Sequence, residues 1–411
     1  MVRKDFPMSG GRTGAGNLIP RQVGTLVFVV LWAMAAAAQT APSPEHGAAS
    51  EPLPAGSWRF IVSGDSRNCG DVVMPAIAAH SAQFAPAFYW HLGDLRAIYK
   101  IDEDIAFSNA NQERDLTCET YHKLAWSDFI TNQIGSFGNL PFYVGIGNHE
   151  LILPKNEDAF KKQFADWLDQ PTLRHQRELD KESAHPEPYY HWVQNGVDFI
   201  NLDNASDCFS REQLEWFRRR LANAKSDASI KSVVVGMHEA LPDSFGNDHS
   251  MGDKKDEPDS IVSGRGAYKA LADLSKDKPV YVLASHSHFF MENIFSTPAL
   301  TANGAQPLSG WIVGTAGAVR YKLPPVLPAK PAISQTDIYG YLLGTVDAEG
   351  KIQFSYEEIH EPDVPQNVWE RYPAKSVLWC FDHNSQNREQ KADDPKMLCQ
   401  SPRVATCGSV K

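Results

Sequence analysis

The sequence is poor in positive charge, in long apolar runs and in paired thiolates. Its 39 lysines and arginines stand against 50 aspartates and glutamates, a formal net charge of −11, which argues against a nucleic-acid-binding protein that works by neutralising phosphates. None of its six cysteines forms a C-x-x-C pair, so a metal site built on thiolates is not expected. Its 411 residues suffice for one large α/β domain with extensions, or for two domains.

A single apolar run lies near the N-terminus and predicts a cleaved signal peptide over residues 1–38. Arg3, Lys4, Arg12 and Arg21 precede the run GTLVFVVLWAMAAAA, and small residues follow it, which is the order found in signal peptides. A retained single-span anchor is the alternative, but the run is short for a bilayer. We therefore expect an exported protein, periplasmic or extracellular according to its source, with no membrane span after cleavage.

All cysteines follow this segment, and an even number in an exported chain favours disulfides. They are Cys69, Cys118, Cys208, Cys380, Cys399 and Cys407. Six cysteines allow many pairings, and the sequence does not choose among them. Because Cys69 and Cys118 each follow a predicted strand end, a bridge between these two loops is our hypothesis.

The rest of the chain divides into three predicted parts. Residues 39–56 are rich in alanine, proline, serine and glutamate, and they predict a flexible linker. Residues 57–360 alternate predicted strands and helices and then become strand-rich, which is typical of an α/β or α+β sandwich. Residues 361–411 form a polar extension that contains three of the six cysteines.

Local signals within residues 57–360 predict particular turns and caps. Asn195 and Gly196 lie between two β-rich runs, a strong hairpin signal. Glu349 and Gly350 mark a similar turn, and Ser210 is placed to cap the helix that begins REQLEWF.

Two long irregular stretches lie near predicted strand ends. Residues 241–260 are polar and contain glycine, and residues 320–335 carry many prolines. Such stretches are often lids or binding loops. We interpret His249, in the first stretch, as a solvated loop residue.

Five predicted strands end in side chains that can bind metal ions. The stretches are GDSR with Asp65, GDL with Asp94, GNHE with Asn148 and His149, GMHE with His238, and SHSH with His286 and His288. Ligands collect at the carboxyl ends of strands in an open α/β sheet, so these groups are expected to share one crevice if their strands belong to one sheet. Carboxylates, an amide oxygen and imidazoles together favour Mn, Fe, Zn or Ni over Ca or Cu. Two such ions can generate hydroxide from water and stabilise an in-line displacement at phosphorus.

The spacing within two of these stretches predicts where side chains point. Residues two apart on an extended backbone lie on one face, so His286 and His288 are expected to face the crevice together. Asn148 and His149 are adjacent and face different directions, which leaves His149 free to protonate a leaving alkoxide. Glu150 is expected to orient His149.

The ordered set of motifs resembles the calcineurin-like metallophosphoesterase superfamily, which includes the purple acid phosphatases. The family pattern is D-x-H, then G-D, then G-N-H-E/D, then a lone histidine, then G-H-x-H. The chain matches it with Asp65-Ser66-Arg67, Gly93-Asp94, Gly147-Asn148-His149-Glu150, His238 and Ser285-His286-Ser287-His288, spread over residues 58–360. The resemblance implies a four-layer double β-sandwich flanked by helices.

The resemblance also implies a role for each matched residue. Asp65 and His288 would bind a first metal ion, Asp94 would bridge two ions, Asn148, His238 and His286 would bind the second, and His149 would lie beside the leaving group. Two divalent or trivalent ions, Mn, Fe or Zn, are the implied cofactors.

The chain departs from the family pattern at two positions. Ser285 replaces a glycine, which is expected to change the backbone only mildly. Arg67 replaces the histidine of D-x-H, and a guanidinium has no lone pair to offer a metal ion. Purple acid phosphatases use a tyrosine three residues after the G-D aspartate, where this chain has Ala97, and Tyr99 would reach the site only if the loop bulges. We expect a first ion that is weakly held or absent, with Arg67 either gripping the substrate phosphate or pairing with a carboxylate.

These features predict an exported metal-dependent phosphoesterase that hydrolyses phosphate mono- or diesters by attack of metal-bound hydroxide, with His149 and Arg67 as catalytic residues. The alternative is an exported binding protein that keeps the fold and a partial metal site but turns over poorly, and Arg67 is its main support. The expected partner is a phosphate-ester substrate, with no nucleic acid as a stable partner. The sequence does not indicate the metal, the kind of ester or the oligomeric state.

Overall fold

Two β-sheets carry the fold, and each sheet draws strands from distant parts of the chain. The computed structural model describes residues 53–111, 116–246, 249–252, 258–388 and 396–399. These residues belong to one unit that spans 49–411. The predicted signal peptide and most of the predicted linker lie outside the described residues. Among the helices that the structure describes, none is both long and apolar enough to cross a bilayer.

The strands are short near the predicted metal ligands and long at the C-terminal end. In chain order they are β1 (Trp58–Ser63), β2 (Tyr89–His91), β3 (Phe142–Val144), β4 (Tyr190–Gln194), β5 (Val197–Asn201), β6 (Ser232–Gly236), β7 (Val280–Ala284), β8 (Phe290–Glu292), β9 (Ser309–Val313), β10 (Ser334–Gln335), β11 (Tyr339–Val346) and β12 (Ile352–Ile359).

Helices connect the strands and cover the sheets. In chain order they are α1 (Gly70–Ser81), α2 (Glu103–Phe107), α3 (Cys118–Asp128), α4 (Glu157–Gln163), α5 (Ala165–Leu168), α6 (Pro171–Asp180), α7 (Arg211–Ser226), α8 (Pro258–Leu274), α9 (Gln366–Arg371) and α10 (Ala374–Asp382). Short 3-10 turns lie between them, and one of these, Asn148–Leu151, carries the GNHE motif.

The two sheets are mixed, with parallel strands at one side of the five-stranded sheet and at the centre of the seven-stranded sheet. The five-stranded sheet has the order β12-β11-β1-β2-β3, and the seven-stranded sheet has the order β10-β8-β9-β7-β6-β5-β4. Strands β1, β2 and β3 run parallel, and so do β5, β6, β7 and β9. With helices on the outer faces, the sheets form the α+β sandwich that the sequence predicts.

Apolar residues alternate between a core that joins the two sheets and a core beneath the helices. On β6, Val234 packs in the first core, whereas Val233 and Val235 pack in the second with residues of α7 and α8. This period of two is expected of a strand that is covered on both faces. Gly236 ends β6 at a position where the two sheets lie close together, because a Cβ there would lie 2.3 Å from the Trp90 ring of β2.

The predicted turns and helix cap are confirmed. Strands β4 and β5 form a hairpin, and its turn residues Asn195 and Gly196 have φ angles of 49° and 81°, as a two-residue turn of this kind requires. Strands β11 and β12 form a second hairpin, with Gly350 at φ 79°. Ser210 caps α7, because its Oγ accepts a hydrogen bond from the Gln213 amide at 3.1 Å.

The hypothesis of a Cys69–Cys118 bridge is wrong. Cys69 is bonded to Cys380, and Cys118 is bonded to Cys399. Cys208 is a disulfide cysteine as well. Both strand-end loops are therefore tied to the C-terminal part of the chain and not to each other.

The C-terminal segment explains this pairing, because it returns to the first core. Val364, Val368, Tyr372 and Val377 are buried there with residues of the five-stranded sheet. The returning segment places helix α10 beside the loop after β1, which brings a cysteine of α10 within reach of Cys69. The predicted domain boundary after residue 360 stays a prediction.

Candidate metal centre

The predicted ligands meet at the carboxyl ends of strands from both sheets. Two groups form, Asp94 with His238 and His286, and Asp65 with Asp94 and His288, and the candidate ligand atoms of each group lie within 4.8 Å of one another. Strands β1 and β2 lead to the two aspartates, and β6 and β7 lead to the histidines. Asp94 belongs to both groups, which is the arrangement predicted for a bridging ligand.

Sharp turns, not extended backbone, bring these side chains together. Asp65 and Asp94 both have φ of 60°, in the left-handed region that aspartate tolerates better than most residues. The extended backbone predicted for the SHSH stretch is wrong, because β7 ends at Ala284 and His286 has φ of 62°. The His286 amide donates to Asp65 Oδ2 at 2.7 Å. His286 and His288 therefore reach the site through a turn that Asp65 stabilises.

The group of Asp94, His238 and His286, where the second ion is predicted, gathers around one nitrogen of His238. His238 Nδ1 lies 3.0 Å from the Leu92 carbonyl oxygen, to which it donates, so Nε2 carries a lone pair. Nε2 lies 3.0 Å from Asn148 Oδ1 and 3.0 Å from His286 Nδ1. It lies 3.3 Å from Asp94 Oδ1. Four atoms that can each offer a lone pair converge here. Lone pairs that face one another repel unless a cation lies between them, so this arrangement fits a metal ion.

Ser285, which replaces the family glycine, holds His238 in place. Its Oγ donates to the Leu92 carbonyl oxygen at 3.0 Å and lies 3.1 Å from His238 Nδ1. The imidazole N–H is thus shared between two acceptors. Gly64 leaves room for this serine, because a Cβ on residue 64 would lie 2.7 Å from Ser285 Cβ. The exchange, predicted to change the backbone mildly, therefore also adds a hydrogen-bonding group beside a candidate ligand.

Arg67 lies inside the group of Asp65, Asp94 and His288, where the first ion is predicted. Its Nη2 is 3.1 Å from His288 Nε2, and its Nε is 3.5 Å from Asp94 Oδ2. The Tyr321 hydroxyl lies 3.4 Å from the same Nη2. His288 Nδ1 donates to the Val319 carbonyl oxygen at 2.7 Å, so the lone pair of Nε2 faces the guanidinium. Pairing of Arg67 with a carboxylate, one of the two predicted alternatives, is therefore observed.

Buried carboxylates and neutral imidazoles set the electrostatics of the site. Asp65 Oδ1 and Asp94 Oδ2 are buried and have no hydrogen-bond partner among the described residues, which is costly unless positive charge lies nearby. Burial, together with the charge of Arg67, lowers the pKa of His288 and lowers the pKa of His149 to about 3. Neutral imidazole is the form that binds metal ions.

His149 is fixed by backbone groups. Its Nδ1 donates to the Ala97 carbonyl oxygen at 2.6 Å, and its amide donates to Asp94 Oδ1 at 3.0 Å. Its Nε2 lies 3.5 Å from Asp94 Oδ2 and faces the two ligand groups. The Tyr99 ring lies beside it, with the ring centroids 5.5 Å apart. Because Nδ1 already carries the proton, His149 must gain a second proton on Nε2 before it can act as an acid.

Glu150 does not orient His149, so that prediction is wrong. Its carboxyl group accepts hydrogen bonds from three backbone amides, those of Asp94 and Gly147 at 2.9 Å each and that of Leu95 at 3.0 Å. Burial and the charge of Asp94 raise the pKa of Glu150, and the three donors oppose this because they favour the ionised form. Glu150 therefore joins the G-D turn to the GNHE turn.

Aromatic side chains from the two irregular stretches line the Arg67 side of the site. The Tyr321 ring stacks on His288 with centroids 3.8 Å apart, and the His249 ring stacks on Tyr321 at 4.9 Å. The interpretation of His249 as a solvated loop residue is wrong for this reason. Tyr321 was not among the predicted site residues, although the proline-rich stretch that contains it was predicted to be a lid or binding loop.

Solved structures share this architecture. A purple acid phosphatase from yellow lupin (Lupinus luteus) seeds matches with a TM-score of 0.51 and 15% sequence identity, over 83% of this chain and 58% of its own. This chain has the fold of the calcineurin-like metallophosphoesterases. PhoD matches with a TM-score of 0.45 and 16% identity, over 74% of this chain and 69% of its own. The match to the lupin enzyme covers less than two thirds of that enzyme's length.

Sequence comparisons reach less far. No protein-family profile matches the chain. Two curated proteins of Mycobacterium tuberculosis, Rv2577 of strain H37Rv and MT2654 of strain CDC 1551, are each 29% identical over 156 residues, and both are named only as uncharacterized. The match covers 34% of this chain and 26% of each relative, so these relatives assign no activity to it.

Proposed function

We propose that this protein is an exported metal-dependent phosphoesterase that hydrolyses phosphate mono- or diesters. One observation carries the proposal, namely that two groups of buried ligands share Asp94 at the strand ends of a metallophosphoesterase fold. Metal ions such as Mn, Fe or Zn, when bound there, would supply an activated water and positive charge for in-line displacement at phosphorus. The Cys69–Cys380 and Cys118–Cys399 disulfides and the predicted signal peptide support export, because disulfides persist in oxidising compartments.

The chain's own residues would complete the chemistry. Asp94, Asn148, His238 and His286 form the group with the best ligand geometry. Arg67 stays charged at physiological pH and would meet the phosphoryl oxygens from the other side of the site.

His149 would serve the leaving oxygen through Nε2, because the Ala97 carbonyl oxygen holds the other proton at Nδ1. The pKa of about 3 keeps His149 neutral before substrate binds. A bound phosphate ester brings negative charge, which raises the pKa of a neighbouring imidazole and favours its protonation.

The alternative function, a binding protein with poor turnover, is favoured by one contact. The guanidinium of Arg67 lies against the lone pair of His288, which the family pattern would reserve for a metal ion. Such a protein would bind a metal ion and a phosphate ester but would turn the ester over poorly.

The test separates these functions with purified protein whose metal has been removed by a chelator. The protein is reloaded with Mn, Fe or Zn and assayed on an aryl phosphate and an aryl phosphodiester, beside Asp94→Asn and the matched control Asp273→Asn on the exposed face of α8. We expect metal-dependent turnover that falls about 100-fold or more in Asp94→Asn and is unchanged in the control. Metal binding without turnover of either ester would favour the binding protein, and no metal binding would refute both functions.

A further inference from the structure

We infer that the guanidinium of Arg67 takes the place of one metal ion, so that the centre holds a single ion at Asn148, His238 and His286, with Asp94 between the ion and the guanidinium. The inference rests on the proposed metal-dependent function and deepens it. It changes the expected number of ions and makes the second cation a permanent part of the chain.

The lone pair of His288 is the first argument. Neutral imidazole has one N–H and one lone pair. The N–H is used, because Nδ1 donates to the Val319 carbonyl oxygen at 2.7 Å. Nε2 lies 3.1 Å from Arg67 Nη2, which donates to its lone pair, and 3.2 Å from Asp65 Oδ1. A single lone pair cannot both accept this hydrogen bond and bind an ion, so Arg67 competes directly with a metal for His288.

The two oxygens of Asp94 are the second argument. Oδ1 lies 3.3 Å from His238 Nε2, within the group of Asp94, His238 and His286. Oδ2 lies 3.5 Å from Arg67 Nε and has no hydrogen-bond partner among the described residues. The carboxylate that would bridge two ions therefore has a candidate ion site at one oxygen and a guanidinium at the other.

Arg67 is also held where it is, which is the third argument. Its side chain is 5% exposed, so it cannot swing into solvent without opening the site. The backbone beside it is fastened, because the Asn68 amide donates to Asp102 Oδ1 at 2.7 Å and Cys69 is disulfide-bonded to α10. An ion that entered the Asp65 and His288 group would have to displace a buried, anchored side chain of like charge.

Metal stoichiometry tests the inference without reference to activity. The full mature chain is stripped of metal, loaded with excess Mn²⁺ and desalted, and metal per chain is measured by elemental analysis. Paramagnetic resonance of the same samples distinguishes an isolated Mn²⁺ ion from a spin-coupled pair. We expect about one ion in the wild type and about two in Arg67→His, which restores the histidine of the family pattern.

Two further variants keep the result interpretable. His288→Ala should retain about one ion, because His288 faces Arg67 and not the resident ion, whereas His286→Ala should lose it. Tyr321→Phe, the matched control that removes one partner of Arg67 but keeps the guanidinium, should also retain one ion.

Each other outcome points to a different failure. About two ions in the wild type, or a spin-coupled pair, would overturn the inference and leave the proposed function standing. One ion in both the wild type and Arg67→His would show that something other than the guanidinium excludes the second ion, which also overturns it. No ion in any variant would refute the proposed metal-dependent function itself.

Discussion

Replacing Glu150 by alanine should destabilise the turn that carries Asp94 and thereby lower the affinity of the metal centre for its ion. The Glu150 carboxyl group accepts hydrogen bonds from the amides of Asp94, Leu95 and Gly147, and Glu150 is fully buried. Alanine would leave three buried N–H groups without an acceptor. Each such group costs about 1–3 kcal/mol of stability.

The structure sets the size of the effect and its order among variants. We expect Glu150→Ala to lower the free energy of unfolding by about 3–6 kcal/mol, because water entering the space would offset part of the loss. Glu150→Gln should cost about 1–3 kcal/mol. Its carbonyl oxygen can still accept from Asp94 and Gly147, which share one oxygen of the glutamate, but its amide would face the N–H of Leu95.

Urea unfolding of the metal-free protein measures these values without the contribution of ion binding. The dissociation constant for Mn²⁺ should rise in the same order, alanine above glutamine above wild type, because the turn positions a candidate ligand. Glu119→Ala is the matched control, since Glu119 is exposed and pairs with Lys123 on the surface of α3, and it should behave as wild type. If Glu150→Ala unfolds like this control, or if glutamine costs as much as alanine, the reasoning about the three amides is refuted.

Three further changes test other parts of the molecule. Gly64→Ala should destabilise by about 1–3 kcal/mol, because the new Cβ would lie 2.7 Å from Ser285 Cβ, and Ser285→Gly in the same chain should recover most of this in urea unfolding. The His191 ring nitrogens lie 2.8 and 2.6 Å from two carboxylates, which raise its pKa to about 9 although burial alone would lower it. Its stabilising contribution should therefore be complete below pH 6.5 and lost as the pH rises through 9, and His191→Asn should flatten that part of the stability curve. Replacing Cys69 and Cys380 by serine should cost about 2–5 kcal/mol, since the bridge spans 311 residues of sequence, and a smaller loss would show that packing alone holds α10.

The sequence analysis predicted which residues meet, because a simple rule governs strand ends. Parallel strands end at one edge of a sheet, and polar groups that follow them share that edge. The rule accounts for Asp65 and Asp94 at the edge of one sheet and for the three histidines His238, His286 and His288 at the edge of the other. That the two edges meet depends on how the sheets pack against each other. The order of the motifs also predicted the sandwich, since each motif marks one strand of a known arrangement.

What the sequence analysis missed depends on long-range packing or on single backbone angles. The partner of Cys69 follows from the return of the C-terminal segment to the first core, and no local pattern encodes that return. The turn at His286 depends on a left-handed φ and on an amide bonded to Asp65, whereas a period-of-two argument assumes extended backbone. The role of Glu150 was assigned wrongly because adjacency in sequence to His149 does not place two side chains on one partner.

The division of the ligands between two sheets has a consequence for how the protein obtains its metal. Asp65 and Asp94 follow strands of one sheet, and His238 and His286 follow strands of the other. Strand β1 is completed only when it pairs with β11, hundreds of residues later in the chain. The chain must therefore be synthesised beyond β11 before all the ligands can take up their positions in the folded protein. If the protein is exported as proposed and crosses the membrane unfolded, it takes its ion from the compartment where it folds, and the metal supply of that compartment, not of the cytoplasm, decides which ion it carries.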